Sequence, residues 1–543
     1  MMQGNEEFTD EQIKILENFV TSTTSNVFVL RNLPEVIKGA LFSRYSRSAL
    51  GLRSLLMKEF ILNEDTSFAN IAGKYIDNDS AHDQMAAIQK AQNFYDRILD
   101  GFGDDSIGEL GGAHLAVEGV SLLATKMIED CRLGGSPLEK STRYIYFDQK
   151  INGEYLFYHE PVLMTSAYRD LYLTTCNDLF ETYSSLIPPL MAHIEQGFPK
   201  EPTISKGAYT AALRAKVLDC LRGLLPASAM TNMGVFGNGR FFESMLQKMN
   251  SHNLAEMQDV GKKAYHELAK VIPSFIRRAD PGHKHHMILS AYFETLQGEI
   301  QKFAQKHAPH IASSISNGVK LVRSEPDAVA KIAGAFLFTY GHEGLHELQK
   351  YCAELSDEEI ANFFDAVTSC RESRRHKSPR ALEHAAFTFE IVADFGVYRD
   401  LHRHRILTQE RQMLTCNYGH YLPPELKGTP MEQVYINAMD RAKTAYDTIA
   451  KELPEEAQYV VPMAYNVHWY FNVNLRSLQW ICELRSMPQG HSTYRQIAQE
   501  MVRQVCKAFP LFEPFFKFVD FGGYQLGRLS AEIRKEQKMQ ARV

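Results

Sequence analysis

The chain contains two copies of one pattern, and that bounds its fold more tightly than any other feature. "HLAVEGVSLLATKMIEDCRLGGSPLEKSTRY" (His114 to Tyr144) lies over "AFTFEIVADFGVYRDLHRHRILTQERQMLTC" (Ala386 to Cys416) without a gap, 272 positions apart. "LLPASAMTNMGVFGNGRFFESML" (Leu224 to Leu246) lies over "VVPMAYNVHWYFNVNLRSLQWIC" (Val460 to Cys482), 236 positions apart. Glu118 then sits on Glu390, Pro226 on Pro462, Asn238 on Asn474 and Arg240 on Arg476. A period of roughly 250 residues is a duplicated domain, not a solenoid. The spacing predicts a short extension ending near Ser25, a first domain over 26–272, a helical connection over 273–316 and a second domain over 317–530.

Each copy mixes strand and helix signals, which places the chain in the α/β (α+β) class. "AFTFEIV" alternates like a half-buried strand. Phe395, Tyr398 and Leu401 then fall near helical spacing, a short helix that would deliver Arg403 at its end. "GVKLVR" followed by "SEPDAVAKIAGAFLF" (Ser324 to Phe338) reads as a strand turning into a helix. "DEEIANFFDAV" (Asp357 to Val367) and "PEEAQYVV" (Pro454 to Val461) open on acidic turns, as the helix dipole favours.

Composition removes several function classes. The formal net charge is −6, so no domain-wide basic excess exists to release counterions from polymeric nucleic acid. The eight cysteines contain no CxxC pair, which reads as reduced thiols in a cytoplasm. The opening MMQGNEEFTDEQ is acidic and polar, unlike a secretory signal. No apolar run approaches the roughly 20 residues of a membrane helix. A cytoplasmic protein of small-molecule chemistry is expected.

"LHRHRILTQERQ" (Leu401 to Gln412) packs Arg403, His404 and Arg405 together with no acid between them. A charge run is ordinarily a solvated surface. Arginine forks also match phosphate oxygens in pairs, which makes the cluster a candidate anion site.

"SPRALEHAAFTFEI", "RHRILTQE" and "NVNLRSLQWICELR" together resemble the flavin-dependent thymidylate synthases (ThyX), whose signature is RHR-x-x-S-x-N-x-x-S-x-R-Y with an upstream Glu-His and a downstream Asn-x-Arg. The resemblance spans most of Gly318 to Phe521 and returns more faintly over about Leu30 to Lys270. It implies two fused ThyX-like domains, each a mixed or antiparallel sheet with helices, arranged as a pseudo-dimer.

The departures from the signature are reciprocal. The second copy keeps Arg403, His404 and Arg405 but has Thr408, Glu410, Met413 and Thr415 where the family has Ser, Asn, Ser and Arg. The first copy has Cys131, Arg132 and Leu133 in place of RHR, yet keeps Glu139, Ser141, Arg143 and Tyr144. The family's Arg before the block's proline survives as Arg222 and is Gln458 in the second copy; its late Arg survives as Arg485 and is Met249 in the first. In the family the nucleotide lies between two subunits, so each copy here retains one side of the site. Random decay rarely leaves complementary remnants.

By this resemblance the chain would methylate dUMP to dTMP with FAD, methylenetetrahydrofolate and NADPH. Glu139, Lys140, Ser141, Thr142, Arg143, Arg222, Arg403 and Arg485 would bind dUMP, with Arg485 beside the pyrimidine in the catalytic position. Arg403, His404 and Arg405 would also touch FAD, as would Ser106, Ser378, Asn474 and Arg476, with Asn238 and Arg240 as first-copy equivalents. Glu109 and Glu383 match the family's Glu, though each could be a solvated helix start. A homodimer would mimic the family's tetramer. The competing reading is a non-catalytic nucleotide- or flavin-binding or assembly protein.

"HEGLH" (His342 to His346) is a literal HExxH. On a helix His342 and His346 would share a face with Glu343 as base of a zinc hydrolase. No third ligand follows at the required spacing, so no metal is expected.

Overall fold

The computed structural model describes residues 8–46, 48–61, 108–310 and 316–541. The chain divides into two compact units, neither continuous in sequence. The first comprises Met1–Glu118, Asp130–Glu139 and Asn232–Ile311; the second comprises Gly119–Glu129, Lys140–Thr231 and Ala312–Val543. The second unit therefore contains a large part of the first sequence copy together with all of the second.

Nine strands occur among the described residues: β1 (Gly112–Ser121), β2 (Gly135–Glu139), β3 (Lys150–Ile151), β4 (Glu154–Tyr155), β5 (Met230–Asn238), β6 (Gly318–Ser324), β7 (Ala386–Asp394), β8 (Thr408–Arg411) and β9 (Asn466–Asn474). In the first unit β2 runs antiparallel to β5, with Gly135 opposite Gly237 and Glu139 opposite Met233. Around it lie the helices Gly239–Asn250, Ala255–Leu268 and Lys284–His307, the last within the expected helical connection.

The second unit is built on the antiparallel sheet β6-β7-β9-β8. The alternation read in "AFTFEIV" is real: Phe387, Phe389 and Ile391 of β7 are all fully buried. β7 pairs with β9 from Ala386↔Asn474 to Asp394↔Asn466. The expected short helix follows directly as Phe395–His402, capped by Asp394, whose Oδ1 accepts from the Val397 amide at 3.0 Å. The strand-to-helix entry is β6 followed by Ala328–Phe338, and Asp357–Ser369 is a helix closed by a Ser356/Glu359 capping box.

One local expectation fails, and the single helix that the rejected HExxH reading would require is not formed. "PEEAQYVV" forms only the 3₁₀ turn Glu456–Val460. The Gln458 side chain bonds the Leu414 amide and the Glu455 carbonyl, and Pro462 has no N–H to continue a helix. "HEGLH" does not lie on one helix, because the helix begins at Leu345 and leaves His342 in the preceding turn. The Glu343 carboxylate folds back to accept from the His342 amide at 3.0 Å. The two imidazoles thus lose the i, i+4 placement that a zinc site needs.

The duplication has a direct structural signature inside the second unit. Pro226 and Pro462, equivalent in sequence, pair with each other in an antiparallel bridge. The Ala227 amide donates to the Val461 carbonyl at 2.9 Å, and the equivalent Met463 amide donates to the Leu225 carbonyl at 2.9 Å. Contacts that exchange under swapping of the copies are isologous, the mark of a two-fold relation. No helix among the described residues is long and apolar enough to cross a membrane.

Candidate functional site

Four arginines from the two sequence copies converge inside the second unit. Arg222 caps the C-terminus of helix Lys206–Leu221, Arg403 caps Phe395–His402, and Arg485 ends Leu475–Arg485. Helix C-termini favour cations, which offsets part of the mutual repulsion. Arg143 comes from the loop after β2 and is 8% exposed; Arg222 is 4% exposed.

Carboxylates and one aromatic ring bind the cluster together. Asp219 takes Arg143 in a fork, Nε to Oδ1 at 2.6 Å and Nη2 to Oδ2 at 2.7 Å. The remaining Nη1 donates to the Tyr494 hydroxyl at 3.2 Å. Arg143 and Arg485 both lie on the Tyr494 ring, 5.7 and 5.6 Å from its centroid. Asp400 accepts from Arg222 Nη1 at 3.1 Å and also from Arg403. Arg485 Nε donates to His404 Nε2 at 2.8 Å.

Burial, with Arg485 and Arg403 nearby, pushes the His404 imidazole well below its ordinary pKa. It is therefore neutral and free to accept at Nε2. Burial would raise Asp400, but Arg222 and Arg403 hold it well below the usual carboxylate range. Four guanidiniums face Asp219 and Asp400, and the cluster stays net cationic. Arg222 Nη2 is buried with no hydrogen-bond partner. It lies against Gly396, where a Cβ would stand 2.9 Å from it, so this guanidinium position requires glycine there.

Beside the cluster, burial pushes the Asp394 carboxyl up to about 6 despite the neighbouring Arg222. Its folded value exceeds the ordinary 3.8. The stability it contributes is complete below that lower value and is lost as pH rises through about 6. Asp394→Asn keeps the helix cap and removes this loss. The variant should be more stable than the unmodified chain above pH 6, on the order of 1–3 kcal/mol, with the advantage fading to nothing near pH 4. Denaturation midpoints at pH 4 and pH 8 check this; an advantage independent of pH would refute it.

Arg403 and His404 also line a cavity of about 450 Å³. Six cationic side chains face it, Arg371, Arg374, Lys377, Arg403, Arg405 and Arg476, against the carboxylate of Glu383. Ser378 lines it as well, and its carbonyl accepts from Arg476 Nε at 2.8 Å. Arg476 also pairs with Glu383 at 2.6 Å. Asn474 caps helix Leu475–Arg485, accepting from the Ser477 amide at 2.9 Å.

Other sequence candidates fall elsewhere. Lys140, Ser141 and Thr142 belong to the Arg143 loop: Lys140 lies over the Phe147 ring, Ser141 Oγ accepts from the Arg143 amide at 3.2 Å, and Thr142 is buried. Glu139, Asn238, Arg240 and Glu109 belong to the first unit. There Asn238 caps helix Gly239–Asn250, and Arg240 pairs with Glu109 at 2.8 Å with both side chains about half exposed. Ser106 lies outside the described residues.

Sequence reasoning missed Asp219, Asp400, Tyr494, Arg374 and Trp480. The two aspartates carried a readable signal: each stands three residues before a site arginine, in "DCLR" and "DLHR". That spacing places an acid one helical turn ahead of a cation.

The family model described as thymidylate synthase complementing protein matches residues 62–274 and 320–511. A UPF0159 protein of Chlamydia pneumoniae is 54% identical over 99% of both chains. A UPF0159 protein of Thermoplasma acidophilum is 31% identical over 92% of this chain and 99% of its own. The flavin-dependent thymidylate synthase of Clostridium tetani is 29% identical over 35% of this chain and 83% of its own. The reciprocal remnants, the isologous proline pair and this double match agree: the chain belongs to the thymidylate synthase complementing protein family and carries that family's domain twice.

Proposed function

We propose that this chain is a flavin-dependent thymidylate synthase that methylates dUMP to dTMP with methylenetetrahydrofolate and NADPH, at a site assembled from both copies. The observation that carries the reading is Arg222 Nη2, a buried guanidinium nitrogen without an acceptor, in a cluster that is net cationic. Leaving such a donor unpaired costs on the order of 1–3 kcal/mol. A phosphate oxygen removes that cost and balances the excess charge.

In this reading Arg222, with Arg143, takes the dUMP phosphate, and Asp219 and Asp400 hold the forks in place beforehand. Arg485 stands at the pyrimidine edge. Its charge favours loss of the N3 proton and makes C5 a better nucleophile. Neutral His404 orients Arg485 without adding repulsion. The cavity suits an anionic dinucleotide with flat rings, for it holds a buried unpartnered Arg374 Nη1 and a half-exposed Trp480. FAD bound there, held by Ser378, Arg403, His404, Arg405 and Arg476, would supply the redox chemistry. The assembly proposed is a homodimer with twice the 61.8 kDa chain mass by light scattering; a fully active monomer would end that part.

A second reading, a non-catalytic nucleotide-binding protein, is favoured by the fork of Asp219 on Arg143, which commits two of that guanidinium's donors. The purified chain should show a flavin absorption band and form dTMP when given dUMP, methylenetetrahydrofolate and NADPH. A flavin-bound protein that takes dUMP yet makes no dTMP would select the second reading. A colourless protein that binds neither ligand would end both.

A further inference from the structure

The cavity contains a cation that the family signature does not account for. Arg374 lies in the segment between helix Asp357–Ser369 and the 3₁₀ turn Arg380–His384, and its Nη1 is buried without a hydrogen-bond partner. Its neighbour Arg371 is committed to Glu483 at 2.5 and 2.6 Å. Arg371 also donates to the carbonyls of Arg374 at 3.3 Å and His376 at 2.8 Å. One arginine is thus spent on fixing the loop backbone, while the other is held at the cavity wall.

The Arg374 guanidinium lies 5.8 Å from the centroid of the Trp480 ring. Trp480 is one of two tryptophans in the chain and is 39% exposed, whereas Trp469 is 2% exposed. A cation over an indole face is attracted by the ring quadrupole and keeps its N–H edge for other partners. Lys377, three residues on, lines the same cavity and adds charge of the same sign. A guanidinium fixed by a ring, with one donor buried and unmatched, is arranged to receive an oxyanion.

We infer that Arg374 contacts the phosphate of the flavin nucleotide and that Trp480 positions its guanidinium. This rests on the cavity being the flavin site. It assigns to that site two residues that the Arg403–Arg405 cluster and the Asn-x-Arg motif leave out.

The test titrates the full chain, freed of bound flavin, with FAD and with riboflavin, which has no phosphate, following flavin fluorescence. Arg374→Gln should weaken FAD binding at least about 10-fold, the loss of one charge-assisted contact, and leave riboflavin within about two-fold. Arg374→Lys, which keeps the charge, should recover most of the FAD affinity. Trp480→Leu should weaken FAD in the same direction. Equal FAD affinity in Arg374→Gln and the unmodified chain overturns the assignment. So does an equal loss of FAD and riboflavin, since that marks a structural role. Were Arg374→Gln not to fold, Trp480→Leu carries the test, since its ring lies 5.8 Å from the guanidinium: weaker FAD binding with riboflavin kept within about two-fold supports the assignment, and unchanged FAD affinity overturns it. An unmodified chain that binds no flavin at all overturns the functional reading, and this assignment with it.

Discussion

Arg143→Ala and Arg485→Ala should each abolish or cripple dTMP formation and weaken dUMP binding about 10- to 100-fold, although they stand in different sequence copies. A charge-assisted hydrogen bond is worth roughly 1.5–3 kcal/mol, which converts to that range of affinity. The two residues lie on one Tyr494 ring, at 5.7 and 5.6 Å, within a single compact unit. One dUMP per chain is therefore expected. If the two copies were independent sites, either mutation would spare half of the binding capacity. Mixing the two variants adds a sharper check. Because Arg143 and Arg485 meet within one chain, the mixture should regain no activity. Calorimetry with two equivalent dUMP sites per chain, or restored turnover on mixing, would remove the intrachain site.

The sequence made the architecture legible because its evidence is periodic. Strand β7 announces itself through alternation, and helix Phe395–His402 through the spacing of Phe395, Tyr398 and Leu401. The duplication was visible at Pro226 and Pro462, and the structure pairs those very residues. The retained arginines could be named because their losses are reciprocal. Their partners could not. Asp219 and Arg143 are 76 residues apart, Asp400 and Arg222 178 apart, and Tyr494 and Arg143 351 apart. No local periodicity encodes pairings of that range. The same limit explains why a local pattern misleads at two places. "PEEAQYVV" carries the charge pattern of a helix start, but a Gln458 side-chain bond to the distant Leu414 decides its conformation. "HEGLH" satisfies a motif whose chemistry depends on a helix, and the helix begins three residues too late.

The largest stability effect is expected at a residue no motif names. Glu483 is fully buried, with both oxygens on Arg371, which is itself 7% exposed on its side chain. It also accepts from the Phe518 amide at 3.3 Å. Glu483→Ala leaves a buried guanidinium without its counter-charge, a loss of about 3–5 kcal/mol. Against a total of roughly 5–15 kcal/mol for a folded domain, that shifts the denaturation midpoint by a large fraction. The effect should be one of uncompensated charge, not of lost attraction. The double variant Arg371→Met/Glu483→Leu, which replaces the pair by apolar side chains, should therefore recover much of the loss. It should not recover flavin binding, because Arg371 also fixes the backbone at Arg374 and His376. Urea denaturation of both variants reads the stabilities, and FAD titration reads the site. A Glu483→Ala loss below about 1 kcal/mol would show that water reaches Arg371. A double variant as unstable as the single one would place the stabilisation in the ion pair itself.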